Sequence, residues 1–383
     1  MESIYNSSKL PETGTSIFVV MSKEAKKYEA VNLSQGFPDF PVDEKLIELV
    51  YKYMRKGFNQ YAPMPGVPVL LEKIAAKIKK LYNLELDDRK EITITAGATQ
   101  AIFTIIQAFV FPGDEVIILE PAYDSYAPSI LLAGGKPVYI RLKKPDFQIP
   151  WEELNDKITS HTRMIIVNTP NNPAGYVFSS SDWKKLDELT RYENILILSD
   201  EVYEHIIFDR HQHQSILKQN LWSDRGLAVF SFGKTFHATG WKTGYVVAPT
   251  HLTSEFRKVH QFNVFSVNTP VQYALAEYIS EEENYLNLAS FYEEKRDFFI
   301  EGLKGSRWKY LKPGGTYFIH LDYSEITDED DFDFALRLTR EYKVASIPVS
   351  FFYHDRFDQK LLRFCFAKQK ETLDKALERL HQI

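Results

Sequence analysis

The amino-acid sequence predicts an α/β protein with a large domain, in which helices flank a mostly parallel sheet, and a smaller α+β domain. Short apolar runs alternate with longer amphipathic stretches between residues 91 and 249, which is the pattern of strands and covering helices in a parallel sheet. The C-terminal part instead mixes a long helical stretch with later strands and helices. A chain of 383 residues is also longer than one hydrophobic core needs, which favours two domains.

In the large domain, β-branched and apolar runs are predicted to be strands and the stretches between them helices. Ser181 is the predicted N-cap of the second of two helices, because a serine before an amphipathic run is a common helix start. The predicted strands cover residues 92–94, 116–119, 164–167, 195–198, 229–230 and 245–247, and the two helices cover 99–110 and 181–191.

The rest of the chain is predicted to be an arm and the smaller domain. Turn signals in the first 40 residues, such as Gly36-Phe37-Pro38, indicate an arm followed by a connecting loop. The C-terminal part is predicted to contain a long helix near 270–300, strands at 316–321 and 361–366, and helices near 331–342 and 370–382. We therefore predict three parts. Residues 1–45 form an arm that contributes to the small domain, residues 46–275 form the large domain, and residues 276–383 form the small C-terminal domain.

Composition narrows the classes of function. A net charge of −6 argues against a general polyanion-binding surface, so nucleic acid is not an expected partner. The single cysteine, Cys365, cannot form an intrachain disulfide, which favours a cytoplasmic location. We predict that Cys365 is a small core residue. The apolar run at 17–21 is too short for a signal-peptide core or a membrane span, so no membrane association is expected.

Candidate chemistry lies just after three of the predicted strands, because ligands of open α/β sheets bind beyond the carboxyl ends of strands. After 92–94, Gly97 leads into a helix whose free N–H groups could hold a phosphate, although the same turn could simply cap the helix. After 195–198, Asp200 could hold a heteroaromatic nitrogen protonated and Tyr203 could donate to the same ring. Asp200 capping a turn, with Tyr203 in the core, is an equally good local explanation.

The third place follows the strand at 229–230. Lys234 lies between small residues at a strand end, where it can be desolvated and form an imine with a carbonyl compound. Most lysines are solvated surface charges, but Ser231 and Lys242 nearby could both reach one phosphate. That shared purpose favours a ligand site over a surface loop.

Five ordered motifs carry a resemblance over nearly the whole chain. The chain resembles the class I branch of fold-type I aminotransferases, which are enzymes that depend on pyridoxal 5′-phosphate. The resemblance therefore implies a fold-type I transferase in which the large domain binds that cofactor. The motifs are NTPNNPAG at 168–175, SDEVY at 199–203, SFGKT at 231–235, GWKTG at 240–244 and LRFCF at 362–366.

The resemblance implies a role for each matching residue. Lys234 matches the Schiff-base lysine, which also moves the substrate α-proton, and Asp200 matches the residue that keeps the pyridine nitrogen positive. Asn172 and Tyr203 match the pair that hydrogen-bonds the ring 3-oxygen, so the catalytic set is Lys234, Asp200 and Tyr203. The remaining implied cofactor contacts are Ala98, Thr99, Ser231 and Lys242 at the phosphate, Tyr123 stacked on the ring, and Tyr61 reaching in from the second subunit of a homodimer.

For the substrate, the resemblance implies an amino acid and a 2-oxo acid in turn. Arg363 matches the arginine that binds the α-carboxylate, with Gly36, Phe37 and Asn172 beside it. The segments 34–40 and 345–353 most resemble the methionine, kynurenine and glutamine aminotransferase group. An aromatic, uncharged pocket would suit methionine first, and kynurenine, glutamine, phenylalanine or tyrosine next. The residues predicted to form that pocket are Phe37, Tyr61, Tyr123, Phe236 and Phe351.

Two alternative functions and one alternative site remain open from the sequence. The same cofactor chemistry could serve a β-lyase acting on cysteine S-conjugates or cystathionine. The fold could also serve as a non-catalytic, ligand-binding regulatory protein. His211 and His213 could mimic a metal pair, but no further ligands lie nearby in the sequence, so we predict a solvated loop and no metal site.

Overall fold

The computed structural model describes residues 8–383, so residues 1–7 of the predicted arm lie outside the described part. The strands are β1 (Val31–Asn32), β2 (Ile92–Thr95), β3 (Glu115–Glu120), β4 (Lys136–Arg141), β5 (Thr162–Asn168), β6 (Leu196–Asp200), β7 (Gly226–Ser231), β8 (Gly244–Val247), β9 (Lys309–Leu311), β10 (Phe318–Asp322), β11 (Val344–Ala345), β12 (Ile347–Pro348) and β13 (Leu361–Cys365).

The helices lie between and after these strands. They are α1 (Ile17–Lys27), α2 (Glu44–Arg55), α3 (Pro68–Tyr82), α4 (Asp88–Glu91), α5 (Ala98–Phe109), α6 (Tyr126–Leu132), α7 (Trp151–Lys157), α8 (Ser180–Thr190), α9 (Trp222–Arg225), α10 (Phe232–Thr235), α11 (Thr250–Asn263), α12 (Thr269–Tyr278), α13 (Glu283–Leu286), α14 (Leu288–Gly302), α15 (Asp331–Arg340) and α16 (Lys370–Leu380). Within residues 8–383, no helix combines the length and apolarity needed to cross a bilayer.

The central sheet has seven strands in the order β2-β8-β7-β6-β5-β3-β4. Strands β3 to β7 pair in parallel, and only β8 runs antiparallel to its neighbours β2 and β7. The predicted mostly parallel sheet is therefore confirmed. All six predicted strands are present, whereas β4 was missed, because its run Lys-Pro-Val-Tyr-Ile-Arg contains a proline and has a charged residue at each end.

Both faces of this sheet are covered, which explains why its strands are almost continuously apolar. Neighbouring residues of one strand point to opposite faces. Ile165 accordingly belongs to one hydrophobic cluster, and Met164 and Ile166 belong to another. The carboxyl ends of the parallel strands are therefore held between two buried layers and open at one edge of the sheet.

The C-terminal part forms a four-stranded antiparallel sheet in the order β12-β13-β10-β9. The N-terminal segment joins this part of the chain, because β1 pairs in parallel with β11, with Val31 opposite Val344. The arm also contains a helix that was not predicted, α1, whose buried Ile17, Met21 and Ala25 recur every four residues. The three-part division itself stays a prediction.

Two local predictions were wrong. The long helix near 270–300 is three helices, because Ser280 and Asn284 hydrogen-bond to the backbone carbonyls of Ala276 and Tyr278 and so close the end of α12. The N-cap of α8 is Ser179 rather than Ser181. The hydroxyl of Ser179 accepts from the Asp182 N–H, while the Asp182 carboxylate accepts from the Ser179 N–H in a capping box.

Candidate functional site

One pocket lies where the carboxyl ends of β5, β6 and β7 meet the start of α5. Residues from strands far apart in the chain meet there because parallel strands end at one edge of the sheet. Nine of the predicted cofactor residues line this pocket: Ala98, Thr99, Tyr123, Asn172, Asp200, Tyr203, Ser231, Lys234 and Lys242. The structure therefore brings together all the predicted cofactor contacts except Tyr61.

Lys234 lies on the one-turn helix α10, directly after β7, and its side chain opens onto the pocket. Its Nζ donates to the Tyr317 hydroxyl at 3.0 Å and to the Gly36 carbonyl oxygen at 3.2 Å. Desolvation by the surrounding protein lowers the pKa of Lys234 from 10.5 to about 8. The amine therefore has an appreciable neutral, nucleophilic fraction near neutral pH.

Asp200 ends β6 and is only 4% exposed. Its carboxylate accepts from the Tyr126 hydroxyl at 2.5 Å and from the Val202 N–H at 3.4 Å. Desolvation raises the pKa of Asp200 to about 6, although the hydrogen bond from Tyr126 lowers it. Within residues 8–383 no cation lies in ion-pair contact with this carboxylate, so the site has an unmet demand for positive charge.

The end of the pocket that suits a phosphate lies at the start of α5. Gly97 is the N-cap with a φ of 80°, a left-handed conformation that favours glycine, and no side chain caps the helix. The first N–H groups of α5 and the positive end of its dipole therefore face the pocket. Lys242 and Ser231 line the same pocket, so cationic and hydroxyl donors are available for an anion there.

Arg363, on β13, is 1% exposed and adjoins this pocket through Asn172. Its Nη1 donates to the Asn172 side-chain oxygen at 2.8 Å, and its Nη2 donates to the Ser34 carbonyl at 3.0 Å. Its Nε has no hydrogen-bond partner among residues 8–383. Burial lowers the pKa of Arg363 to about 10, so the guanidinium stays charged at neutral pH. A buried cation with only neutral acceptors is suited to an incoming carboxylate.

Three further predicted residues, Gly36, Phe37 and Tyr61, are not part of the pocket lining. The Gly36 carbonyl accepts from the Tyr317 hydroxyl at 2.7 Å, and a Cβ at Gly36 would lie 2.8 Å from the Phe318 ring, so packing demands glycine. Phe37 is 45% exposed, its backbone oxygen accepts from Lys368 Nζ, and the same Nζ lies 5.3 Å from the centroid of its ring. Tyr61 is 83% exposed, outside this pocket, and its ring packs against Phe265, with the centroids 5.6 Å apart.

The family model for aminotransferases of class I and II matches residues 28–380, nearly the whole chain. The chain belongs to that family. Aminotransferases of this family act on amino acids and 2-oxo acids, and they use pyridoxal phosphate. The regulatory, non-catalytic alternative is set aside accordingly.

Similar proteins cover the chain from end to end. The methionine aminotransferase of Escherichia coli is 48% identical, with 98% of each chain covered. The solved structure of E. coli YbdL, identified as having a methionine aminotransferase function, is 47% identical with a TM-score of 0.97, covering 98% of this chain and 99% of that one. Kynurenine–oxoglutarate transaminase 1 of Mus musculus is 36% identical, with coverage of 95% and 94%. The resemblance to the methionine and kynurenine group is confirmed.

Sequence reasoning missed three residues of this aminotransferase site. The Tyr126 hydroxyl donates a hydrogen bond to the Asp200 carboxylate, and the Tyr317 hydroxyl accepts one from Lys234. The Asn168 side chain donates to the Asp200 backbone oxygen at 2.9 Å and accepts from the Asn172 N–H at 2.6 Å. Asn168 begins the NTPNNPAG motif, which could have indicated it. Tyr126 and Tyr317 carry no local signal, because each reaches its partner across the fold.

Two other interpretations need correction. Phe236 does not line the pocket but packs in the core against Phe232 and Tyr278, with ring centroids 5.9 and 5.1 Å away. His213 is not solvated, because it is almost fully buried and its Nε2 lies 2.6 Å from the Glu201 carboxylate. Among residues 8–383, no group of histidine, cysteine or acidic side chains could hold a metal, and Cys365 is buried as predicted.

Proposed function

We propose that this aminotransferase binds pyridoxal phosphate through Lys234 and moves the amino group of methionine to a 2-oxo acid. The observation that carries the proposal is a pair of buried charges without counterions, Asp200 in the lining of the pocket that holds Lys234 and Arg363 beside that pocket. Asp200 and Arg363 each lack an ion-pair partner of opposite charge among residues 8–383. A ligand with a protonated ring nitrogen and a substrate with a carboxylate would supply both missing charges.

The pocket residues fit the cofactor. Asp200 would accept from the pyridine nitrogen, and the uncapped start of α5 with Ser231 and Lys242 would hold the phosphate. Tyr203 and Asn172 would hydrogen-bond the ring 3-oxygen, and Tyr123 would lie against the ring face. When bound, the cofactor supplies an electron-withdrawing ring that accepts the electron pair released at the substrate α-carbon.

Lys234 would carry the proton. Its lowered pKa leaves a neutral amine that can take a proton from the substrate α-carbon at Nζ and deliver it to the carbon on the other side of the substrate nitrogen. The Gly36 carbonyl and the Tyr317 hydroxyl would hold that Nζ between the two transfer positions. The desolvation that lowers the pKa of Lys234 also keeps bulk water away from the transferred proton.

Arg363 would orient the substrate by its α-carboxylate, using the Nε that has no other partner. Three aromatic rings surround the guanidinium carbon, those of Phe318, Phe352 and Phe18, with centroids 3.9, 5.0 and 5.2 Å away. Aromatic rings suit a thioether and offer no counterion for a side-chain carboxylate. Together with the similarity to the E. coli methionine aminotransferase, this favours methionine over kynurenine, glutamine, phenylalanine and tyrosine.

Two further expectations belong to this proposal. We infer a homodimer in which Tyr61 reaches the phosphate of the partner subunit's cofactor, because an 83% exposed tyrosine beside exposed Phe265 suits a covered interface. A cytoplasmic location remains a prediction that rests on the single cysteine.

The test is a panel of half-reactions, in which each amino acid is mixed with the cofactor-loaded enzyme and conversion to the pyridoxamine form is followed by absorbance. Methionine is expected to give the highest ratio of rate constant to apparent dissociation constant. If aspartate or glutamate gave the highest ratio, the substrate proposal would be wrong. If no amino acid converted the cofactor, the whole proposal would be wrong. A pyruvate assay with a cysteine S-conjugate would detect β-elimination, since transamination alone releases none.

A further inference from the structure

A second cluster of buried charges lies behind the pocket, between α3 and the segment that follows β6. Lys77 and Glu204, 6% and 5% exposed, form an ion pair in this cluster. The Glu204 carboxylate also accepts from the Tyr82 hydroxyl at 2.6 Å, and the His205 ring nitrogen lies 3.4 Å away. Lys77 also donates to the Tyr245 hydroxyl at 3.1 Å. Every charge in this cluster is therefore matched.

This cluster is covalently next to the pocket. Glu204 follows Tyr203, so only one peptide bond separates the ion pair from the ring that lines the pocket. The turn is closed by two backbone hydrogen bonds, from the Glu204 N–H to Glu201 and from the Ile206 N–H to Tyr203, at 3.0 and 2.8 Å. A displacement of Glu204 must therefore displace Tyr203.

The same cluster also supports the turn that carries Lys234. The Tyr245 ring stacks on Phe230 of β7 and packs on Phe232 of α10, with centroids 4.8 and 5.1 Å away. Phe232 lies two residues before Lys234 on that single-turn helix. The Tyr203 segment and the Lys234 turn thus rest on one polar cluster.

A buried ion pair is weak evidence for a stabilising role, because apolar residues of similar volume are often as stable. We infer that Lys77 and Glu204 are positioning residues, which fix the Tyr203 phenol and the Lys234 amine relative to each other in the pocket. The inference rests on the proposed function. It assigns to these two residues, which touch neither cofactor nor substrate, control over the electronic state of the bound cofactor.

The test uses the double variant Lys77→Met, Glu204→Leu in the full chain, since it removes both charges and leaves neither one unpaired. Two readouts are followed, the dissociation constant of pyridoxal phosphate and the pH midpoint at which its visible absorption changes. Displacing a hydroxyl that stabilises the ring oxygen anion favours the protonated cofactor. We expect about tenfold weaker binding and a midpoint raised by about half a pH unit or more.

Two comparison variants make the outcome decisive. Tyr203→Phe sets the size of the shift when the phenol itself is lost, and no shift there would refute the proposed role of Tyr203. A shift in Tyr203→Phe with none in the double variant would refute the positioning role alone. Arg296→Met removes a different buried, ion-paired residue, on α14, and is expected to leave the midpoint unchanged. An equal shift in Arg296→Met would also overturn the positioning role, because it would show a general effect of destabilisation.

Discussion

Asp200 and Glu204 are two buried carboxylates four residues apart, yet their environments shift their pKa values in opposite directions. Desolvation raises the pKa of Asp200 to about 6, and only a hydroxyl and a backbone N–H donate to it. Desolvation alone would raise the pKa of Glu204 too, but the charges of Lys77 and His205 hold it well below its usual value. Asp200 faces the pocket and Glu204 faces the packed side of the sheet.

The difference shows how buried charges can be sorted by purpose. Glu204 has its counterion within the chain and so belongs to the scaffold. Asp200 and Arg363 have hydrogen-bond partners but no counterion among residues 8–383, which leaves each of them destabilised until a ligand brings the opposite charge. Binding energy is then concentrated on the groups that must be ordered for reaction.

The largest expected effect is at Lys234, the reactive amine in the same pocket as the uncompensated Asp200. Lys234→Ala removes both the cofactor attachment and the proton carrier, so turnover should fall by on the order of 10⁴-fold. The visible absorbance of the attached cofactor should disappear as well. Lys242→Ala is the control, because it removes a cation from the same pocket and is expected to weaken cofactor binding while retaining that absorbance. Retained turnover in Lys234→Ala would contradict the assignment.

The second test separates the two carboxylates. Asp200→Asn should lower turnover by about 10²–10³-fold but raise the unfolding free energy of the cofactor-free protein at pH 7 by about 1–3 kcal/mol. The sign follows from the raised pKa of Asp200. The folded state binds its proton more tightly, so wild-type stability is lost as pH rises from about 4 to about 6. Urea unfolding at pH 7 and in mild acid measures this difference.

Glu204→Gln should do the reverse and cost about 3–5 kcal/mol of unfolding free energy, because it leaves the buried Lys77 without its counterion. Lys45 and Glu281 form an ion pair that is about half exposed, with 52% and 55% of the side chains accessible. Glu281→Gln is therefore a matched control and should cost less than about 1 kcal/mol. Equal losses in the two variants would remove the distinction between scaffold charges and ligand charges.

The third test concerns the uncompensated cation. Arg363→Ala should weaken both the amino acid and the 2-oxo acid by about 2–5 kcal/mol, because both substrates present the same carboxylate. Cofactor binding should change little. Titration of each substrate in the half-reaction measures the loss, and Arg363→Lys should recover only part of it, since an ammonium lacks the planar pair of donors. Weakening of only one substrate would place Arg363 elsewhere.

The smallest effect is in the pH dependence of Lys234. An imine forms from the neutral amine, so the rate at which cofactor-free protein captures pyridoxal phosphate should rise with pH and level off above about 8. An ordinary lysine would continue to gain reactivity up to about 10.5. Stopped-flow absorbance measured from roughly pH 6 to pH 10 gives the profile. A capture rate that still rises steeply at the upper end of this pH interval would show that the amine is not desolvated.

Much of the site could be predicted because its residues follow apolar strands. The apolar pattern predicts the strands, and the positions just after them predict that Asp200 and Lys234 lie at one edge of a parallel sheet. The resemblance added Asn172 and Arg363, which strand ends do not single out. The structure agrees in placing the first three in one pocket and Arg363 beside it.

The features that were missed depend on contacts between distant segments. Tyr317 reaches Lys234 from the loop before β10, and no local pattern links the two. Phe236 follows the lysine by two residues, but a helical turn points it into the core instead of the pocket. His213 lies among polar residues in the sequence, and only the fold reveals that Glu201 binds it.

The two acceptors of the Lys234 amine have a consequence for recombination between relatives. Gly36 belongs to the N-terminal segment and Tyr317 to the loop before β10, so the surroundings of the nucleophile are completed by segments on both sides of the large sheet in the sequence. A chimera that exchanged the central segment alone would inherit the lysine without the backbone geometry around Gly36 that evolved with it. Chimeras are therefore best tolerated when the segment that contains Gly36 and the segment that contains Tyr317 come from the same parent.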